Sequence, residues 1–166
     1  MSKFEISIVI PAYNDGIFLG NVIRGLLNQT YKPNEIIIID SSKNTYIKDK
    51  VLPNFKKTKI KIIYKKITRS FAGKSTNIGV KLSTKRWIGL LDTKTIPSIN
   101  WIKSYIEEIR IRNNDVIFGV TKFNYKSNFQ RYIKATSYGN IGHQTLPGTI
   151  IRKSCFIKSG GIIENI

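Results

Sequence analysis

The chain has 166 residues, of which 41% are hydrophobic and 23% charged, enough apolar material for one core and too much for a disordered segment. Lys and Arg number 28 against 10 Asp and Glu, and the formal net charge of +18 draws anions such as nucleotide diphosphates, nucleic acid or an acidic membrane surface, although lysine is also the ordinary solvated residue. The one cysteine, Cys155, excludes an internal disulfide and a cysteine-based zinc site and reads as a small buried apolar residue. No stretch of signal-peptide length opens the chain and none reaches the ~20 apolar residues that cross a bilayer, so a cytoplasmic location, at most peripheral to the inner face of a membrane, is expected.

Ile6 to Ile10 is a continuous β-branched run halted by Pro11, as in a strand covered on both faces. Asn14 or Asp15 can cap the helix that follows, whose Leu19, Val22, Ile23, Leu26 and Leu27 fall on one stripe. Pro33 closes the turn into Glu35 to Asp40, a second central strand. A third strand is predicted over Ile60 to Ile67, a short helix over Ser75 to Leu82 and a fourth strand over Trp87 to Leu91. Pro97 and Ser98 open a helix burying Ile102, Tyr105, Ile106 and Ile109, and Val116 to Val120 is the fifth strand. Thr121 to Leu146 has no clear period and reads as an irregular segment or edge hairpin. Gly148 to Ile151 starts a last strand, and a helix over Arg152 to Ser159 ends at Gly160 and Gly161.

Alternating strands and helices predict one α/β domain over residues 1–166, a doubly wound, mostly parallel sheet that binds ligands at the carboxyl ends of its strands. Three loops then matter: Pro11 to Asp15, Asp40 to Lys43, and Asp92 to Thr95. Asp40 and Asp92 each follow an apolar strand, where a carboxylate can meet a ribose hydroxyl or a base N–H, or can simply cap its own loop. Two at neighbouring strand ends favour a ligand.

Ile6-Ser7-Ile8-Val9-Ile10-Pro11-Ala12-Tyr13-Asn14, then Gln29 and Tyr31-Lys32-Pro33-Asn34-Glu35-Ile36-Ile37-Ile38-Ile39-Asp40-Ser41-Ser42, resembles the opening of family 2 glycosyltransferases of the GT-A (Rossmann-like) fold. Arg69 to Gly79, the run Trp87 to Asp92, and Gly160-Gly161-Ile162-Ile163-Glu164 are similar to that family's later segments, the last to its acceptor-side Gly-Gly-Phe-Asp-Glu. The resemblance implies a nucleoside-diphosphate sugar donor, UDP-linked by expectation, inverting transfer, and a glycan, lipid-linked or protein acceptor. By position it implies that Pro11, Ala12 and Tyr13 line the base pocket, that Asp40 meets the base and Asp92 the ribose, that Gly73 and Asn77 flank the nucleotide, and that Asn14, Ser42, Lys74, Thr93 and Lys94 belong to the same nucleotide-sugar-binding set. Glu164 falls on the acceptor side.

Two departures qualify this. The family's Asp-x-Asp, whose last carboxylate holds Mn or Mg on the diphosphate, reads Asp92-Thr93-Lys94 here, so no metal ligand is assigned. Lys94, with Lys74 or Arg69, can neutralise the leaving group instead, or the site has decayed. The family's general base lies beyond Glu164 and no residue of this chain can be assigned to it, so the part in hand is C-terminally short and can bind donor without turning over. Gly73-Lys74-Ser75 also mimics a phosphate-binding loop of an ATPase or GTPase, but the required earlier glycine is Thr68. A basic module for nucleic acid or an anionic surface is a further alternative without a groove-reading motif, and nucleic acid is not the expected partner. His143, with no Cys or His beside it, reads as a surface or packing residue.

Overall fold

The structure, a computed structural model, describes residues 4–122, 125, 127–137 and 143–165. In chain order the elements are β1 (Ile6–Ala12), α1 (Gly16–Leu27), β2 (Glu35–Asp40), β3 (Lys61–Lys66), α2 (Ala72–Leu82), β4 (Trp87–Leu90), α3 (Trp101–Arg112), β5 (Val116–Thr121), α4 (Asn128–Ser137), β6 (His143–Arg152) and α5 (Lys153–Lys158). Six strands form one sheet in the order β3-β2-β1-β4-β6-β5. β1 pairs parallel with β2 and β4, and β2 with β3, while β6 is antiparallel to both β4 and β5.

The isoleucine runs are continuous because both faces of the central strands are covered. Ile6, Ile8 and Ile10 of β1 and Ile36 and Ile38 of β2 pack with Leu19, Val22, Ile23 and Leu26 of α1 and Ile102 and Ile106 of α3. On the opposite face Val9, Ile37, Ile39, Ile88 and Leu90 meet Val80 of α2 and Phe156 of α5. Each such isoleucine contributes about 1.5–3 kcal/mol as an upper estimate. Glu35 is anchored at the amino end of β2, its carboxylate accepting from Ser7 Oγ and the Thr84 N–H, each at 2.7 Å. Burial raises the Glu35 pKa, but the Thr84 and Ser7 bonds outweigh it and leave the group below its ordinary range.

Several boundaries differ from the sequence expectation, each for a local reason. β1 runs through Pro11 to Ala12, since the Ser41 N–H still finds the Ala12 carbonyl at 2.9 Å. α3 begins at Trp101 and not at Pro97, because the buried Gln29 takes the preceding segment, donating to the Ser98 carbonyl at 2.6 Å and accepting from the Ile102 N–H at 3.2 Å. Residues Ile47–Val51 and Leu52–Phe55 form a π-helical and a 3-10 turn that bury Ile47, Val51 and Phe55, too short a stretch to show helical periodicity. The region read as irregular holds α4 and the first half of β6, a 10-residue strand. Cys155, in the six-residue α5, is partly exposed and not buried as expected. The side chain of His143 lies outside the described residues.

Candidate nucleotide-sugar site

The three loops named from the sequence meet at the carboxyl ends of β1, β2 and β4. The turn after β1 places Asn14 at φ 56°, a left-handed conformation that asparagine tolerates, and its N–H donates to Ser42 Oγ at 2.8 Å. The loops after β1 and β2 are thereby fastened side by side. Tyr13, 37% exposed, presents its ring at this edge, with the Arg69 guanidinium 5.6 Å from the ring centroid. Lys74 is exposed in the first turn of α2.

Asp40 is fully buried. One carboxylate oxygen accepts from the Ser42 N–H at 2.8 Å, and the other from Tyr64 Oη at 2.8 Å and Lys66 Nζ at 3.1 Å. Burial pushes its pKa up, but the bonds from Ser42, Tyr64 and Lys66 together hold it below the usual carboxylate range. Tyr64 is pushed well above the ordinary phenol value by burial and by Asp40. The sequence reading missed Tyr64 and Lys66. Parallel pairing aligns Asp40 with Lys66 and Ile38 with Tyr64, so the signal lay in a strand register that only the folded sheet defines.

Asp92 is partly exposed and caps its own loop, accepting from the N–H groups of Lys94 at 2.9 Å and Thr95 at 2.6 Å, with Thr93 buried between. Lys94 reaches across to the loop after β1. Its ammonium lies 3.3 Å from Asp15 Oδ1 and 5.6 Å from the centroid of the Phe18 ring. Asp15, expected only as a helix cap, makes no cap bond and instead faces this cation. No group of three or more His, Cys, Asp or Glu side chains that could hold a metal occurs among the described residues. At the end of β4 one oxygen of Asp92 is engaged by its own loop, and the nearby Asp15 carboxylate faces the Lys94 ammonium.

Gly73 and Asn77 of α2 lie against the segment that follows α5. The Gly73 Cα abuts the backbone of Ile163, and the Asn77 amide bonds to Ile162 and Glu164. Gly73-Lys74-Ser75 therefore belongs to a helix that starts at Ala72 and packs on the C-terminal segment, not to a loop wrapped around phosphate. Concave spaces of about 440 Å³, at Thr30–Asn34 with Lys59 and Ile60, and about 350 Å³, beside Leu52, Phe55 and Tyr64, lie at the amino ends of the strands and along β3. None of the sequence-predicted site residues lines them, so the converging side chains, not cavity size, mark the candidate site.

The model of the family described as glycosyl transferase family 2 matches residues 7–162. The chain belongs to that family. It is similar to the glycosyltransferase GlyG of Streptococcus pneumoniae, 25% identical over 138 residues that make up 80% of this chain and 45% of GlyG. Among solved structures it is similar to S. aureus TarS 1-349 in complex with UDP-GlcNAc, with a TM-score of 0.72 at 17% identity over 98% of this chain and 50% of that one. It is also similar to the mannosyltransferase PcManGT of Pyrobaculum calidifontis in complex with GDP-Man and Mn2+, with a TM-score of 0.71 at 11% identity over 97% and 48% of the two chains. These likenesses establish the GT-A fold of this family 2 chain, which spans about half the length of these three proteins and less of other relatives it matches. No helix of the described residues is long and apolar enough to cross a membrane.

Proposed function

We propose that this family 2 chain is the donor-binding part of an inverting glycosyltransferase, holding a nucleoside-diphosphate sugar, UDP-linked, on the rim formed by Pro11–Asn14, Asp40–Ser42 and Asp92–Lys94. The observation that carries the reading is that these segments, far apart in sequence, lie side by side at one sheet edge, joined by the Asn14–Ser42 bond and the Lys94–Asp15 ion pair. The base rests on Tyr13 and the backbone of Pro11 and Ala12, and Asp92 offers the ribose its second oxygen. Asp40 reaches a base only by exchanging its bond to Tyr64 or Lys66, so its first task is to hold Ser42 and the loop in place.

Lys94, with Arg69 and Lys74, supplies the positive charge that a metal would bring to the diphosphate. A lysine 4 Å from a phosphate oxygen gains about 4 kcal/mol at an effective dielectric near 20 but only about 1 kcal/mol in bulk water. The Lys94 side chain is 62% exposed, so its contribution starts near the lower figure and grows as the donor excludes water. Transfer then proceeds by attack of an acceptor hydroxyl on the anomeric carbon, its proton passing to a general base to which no residue of this chain is assigned, as the bond to the diphosphate breaks and the nucleoside diphosphate leaves. The acceptor is a glycan, a lipid-linked sugar or a protein, reached from the cytoplasmic side or at an anionic membrane surface. Calorimetric titration of UDP, GDP, dTDP and ATP, with and without Mn2+, is the test: UDP binds best and without metal. Binding that requires Mn2+ would remove Lys94 from the role assigned to it, and preference for ATP over UDP would sink the donor reading.

A further inference from the structure

Beyond the donor rim, one side chain makes contacts that the donor reading leaves unexplained. After α5 the chain turns back through two successive glycines with positive φ, Gly160 at 84° and Gly161 at 79°, and is laid along α2. Asn77 is what receives it. Its Oδ1 accepts from the Ile162 N–H at 3.0 Å, while its Nδ2 donates to the Ile162 carbonyl at 2.8 Å and to Glu164 Oε1 at 3.0 Å. One planar amide thus satisfies both backbone groups of Ile162, as a neighbouring strand would, and fixes a carboxylate two residues on.

The helix face beneath is cut to fit. A Cβ on Gly73 would stand 2.1 Å from the Ile163 carbonyl oxygen, and one on Gly161 would stand 2.7 Å from Asn77 Oδ1. Gly73 and Asn77 are four residues apart and Lys74 and Asn77 three, so dock and exposed lysine share one side of α2. The segment that leads into α2 in turn touches the donor rim, with the Ser70 carbonyl accepting from Ser41 Oγ at 3.4 Å and Arg69 over Tyr13. Glu164 and Ile163 are exposed there.

We propose that Asn77 is a positioning residue: its amide docks Gly160–Glu164 onto α2, holds Glu164 beside the donor rim as part of the acceptor wall, and links the order of that wall to donor binding through α2. This rests on the donor reading given above. It goes beyond the expectation that Asn77 flanks the nucleotide, because its side-chain bonds go to Ile162 and Glu164.

The test is hydrogen–deuterium exchange over residues 161–165, with and without UDP, alongside calorimetric UDP affinity, in the full chain and in Asn77→Ala and Asn77→Asp. Asn77→Ala speeds exchange in 161–165 by about tenfold or more and changes UDP affinity by less than about twofold, since the lost bonds serve the wall and not the donor. UDP slows exchange there in the native chain and has no such effect in Asn77→Ala. Asn77→Asp is loosened at neutral pH, where its carboxylate faces Glu164 and the Ile162 carbonyl, and regains protection as acid restores a donor, a pH signature that a passive anchor lacks and that stays readable should the alanine variant fold poorly. Unchanged exchange in both variants would overturn the clamp, and loss of UDP binding in Asn77→Ala in a folded chain would make Asn77 a donor ligand and overturn the positioning role. UDP binding without any effect on 161–165 in the native chain would overturn the link. Absence of UDP binding in the native chain removes the donor reading and the link with it, while the exchange of the two variants still decides the dock.

Discussion

Asp40 and Asp92 look alike in the sequence, each a carboxylate at the end of an apolar strand, yet the fold treats them in opposite ways. Asp40 is sealed inside with partners for both oxygens, whereas Asp92 sits at a partly exposed loop where one oxygen caps two N–H groups and the neighbouring Lys94 lies mostly in water. The contrast follows from sheet position. β2 lies between β1 and β3, so a side chain at its end finds Tyr64 and Lys66 one strand over, whereas the antiparallel pairing of β4 with β6 ends at Gly89 opposite Ile150, three residues before Asp92. One side of the rim is built as structure and the other is left available for a ligand.

The comparison predicts a graded set of effects. The largest belongs to Asp40→Ala, which strands Tyr64, Lys66 and the Ser42 N–H. The cost is about 3 kcal/mol, the lower end of the range for a broken buried pair because Lys66 keeps partial access to water, and it is read from chemical denaturation. Next comes acid. Asp40 and Glu35 both have folded pKa values below their ordinary ones, so the unfolded chain binds more protons. The stability they contribute is fully present above about pH 5, beyond the unfolded-state values, and is lost as pH falls through the folded ones. Melting temperature measured from neutral to acid pH follows that fall, and Asp40→Asn flattens it; a pH-independent melting temperature across that window would contradict the buried network.

Asp92→Ala removes one acceptor from two loop N–H groups that water can reach and costs about 1 kcal/mol, with the measurable loss in UDP affinity. Lys94→Ala changes stability least, by about 0.5 kcal/mol or less, because its ion pair with Asp15 is exposed. Its effect is on binding: UDP affinity falls about five- to tenfold, while UMP, with less phosphate charge, is affected less. Equal stability losses for Asp40→Ala and Lys94→Ala would erase the distinction between the two sides of the rim.

The parallel core was legible in the sequence because strands covered on both faces must be apolar throughout, and Ile6 to Ile10 and Glu35 to Asp40 could hardly be anything else. α4 and the first half of β6 were not. β5 is an edge strand with Phe118 and Val120 exposed, so the polar and apolar order that a buried face imposes is absent there. The rim residues could be listed from their places after strands, but a list has no distances. Tyr64 and Lys66 joined Asp40, and Asp15 joined Lys94, only through register and loop crossing.

By itself, then, the sequence determined the alternation of elements, the buried stripes and the identity of the strand-end residues, since each depends on neighbours a few positions apart. What Asp40, Asn77 and Glu164 bind across the fold depends on residues from 24 to 87 positions away. Only the sheet order and the turn at Gly160 and Gly161 bring those groups within hydrogen-bond reach, because a contact of that range is set by the path of the backbone and by no local preference.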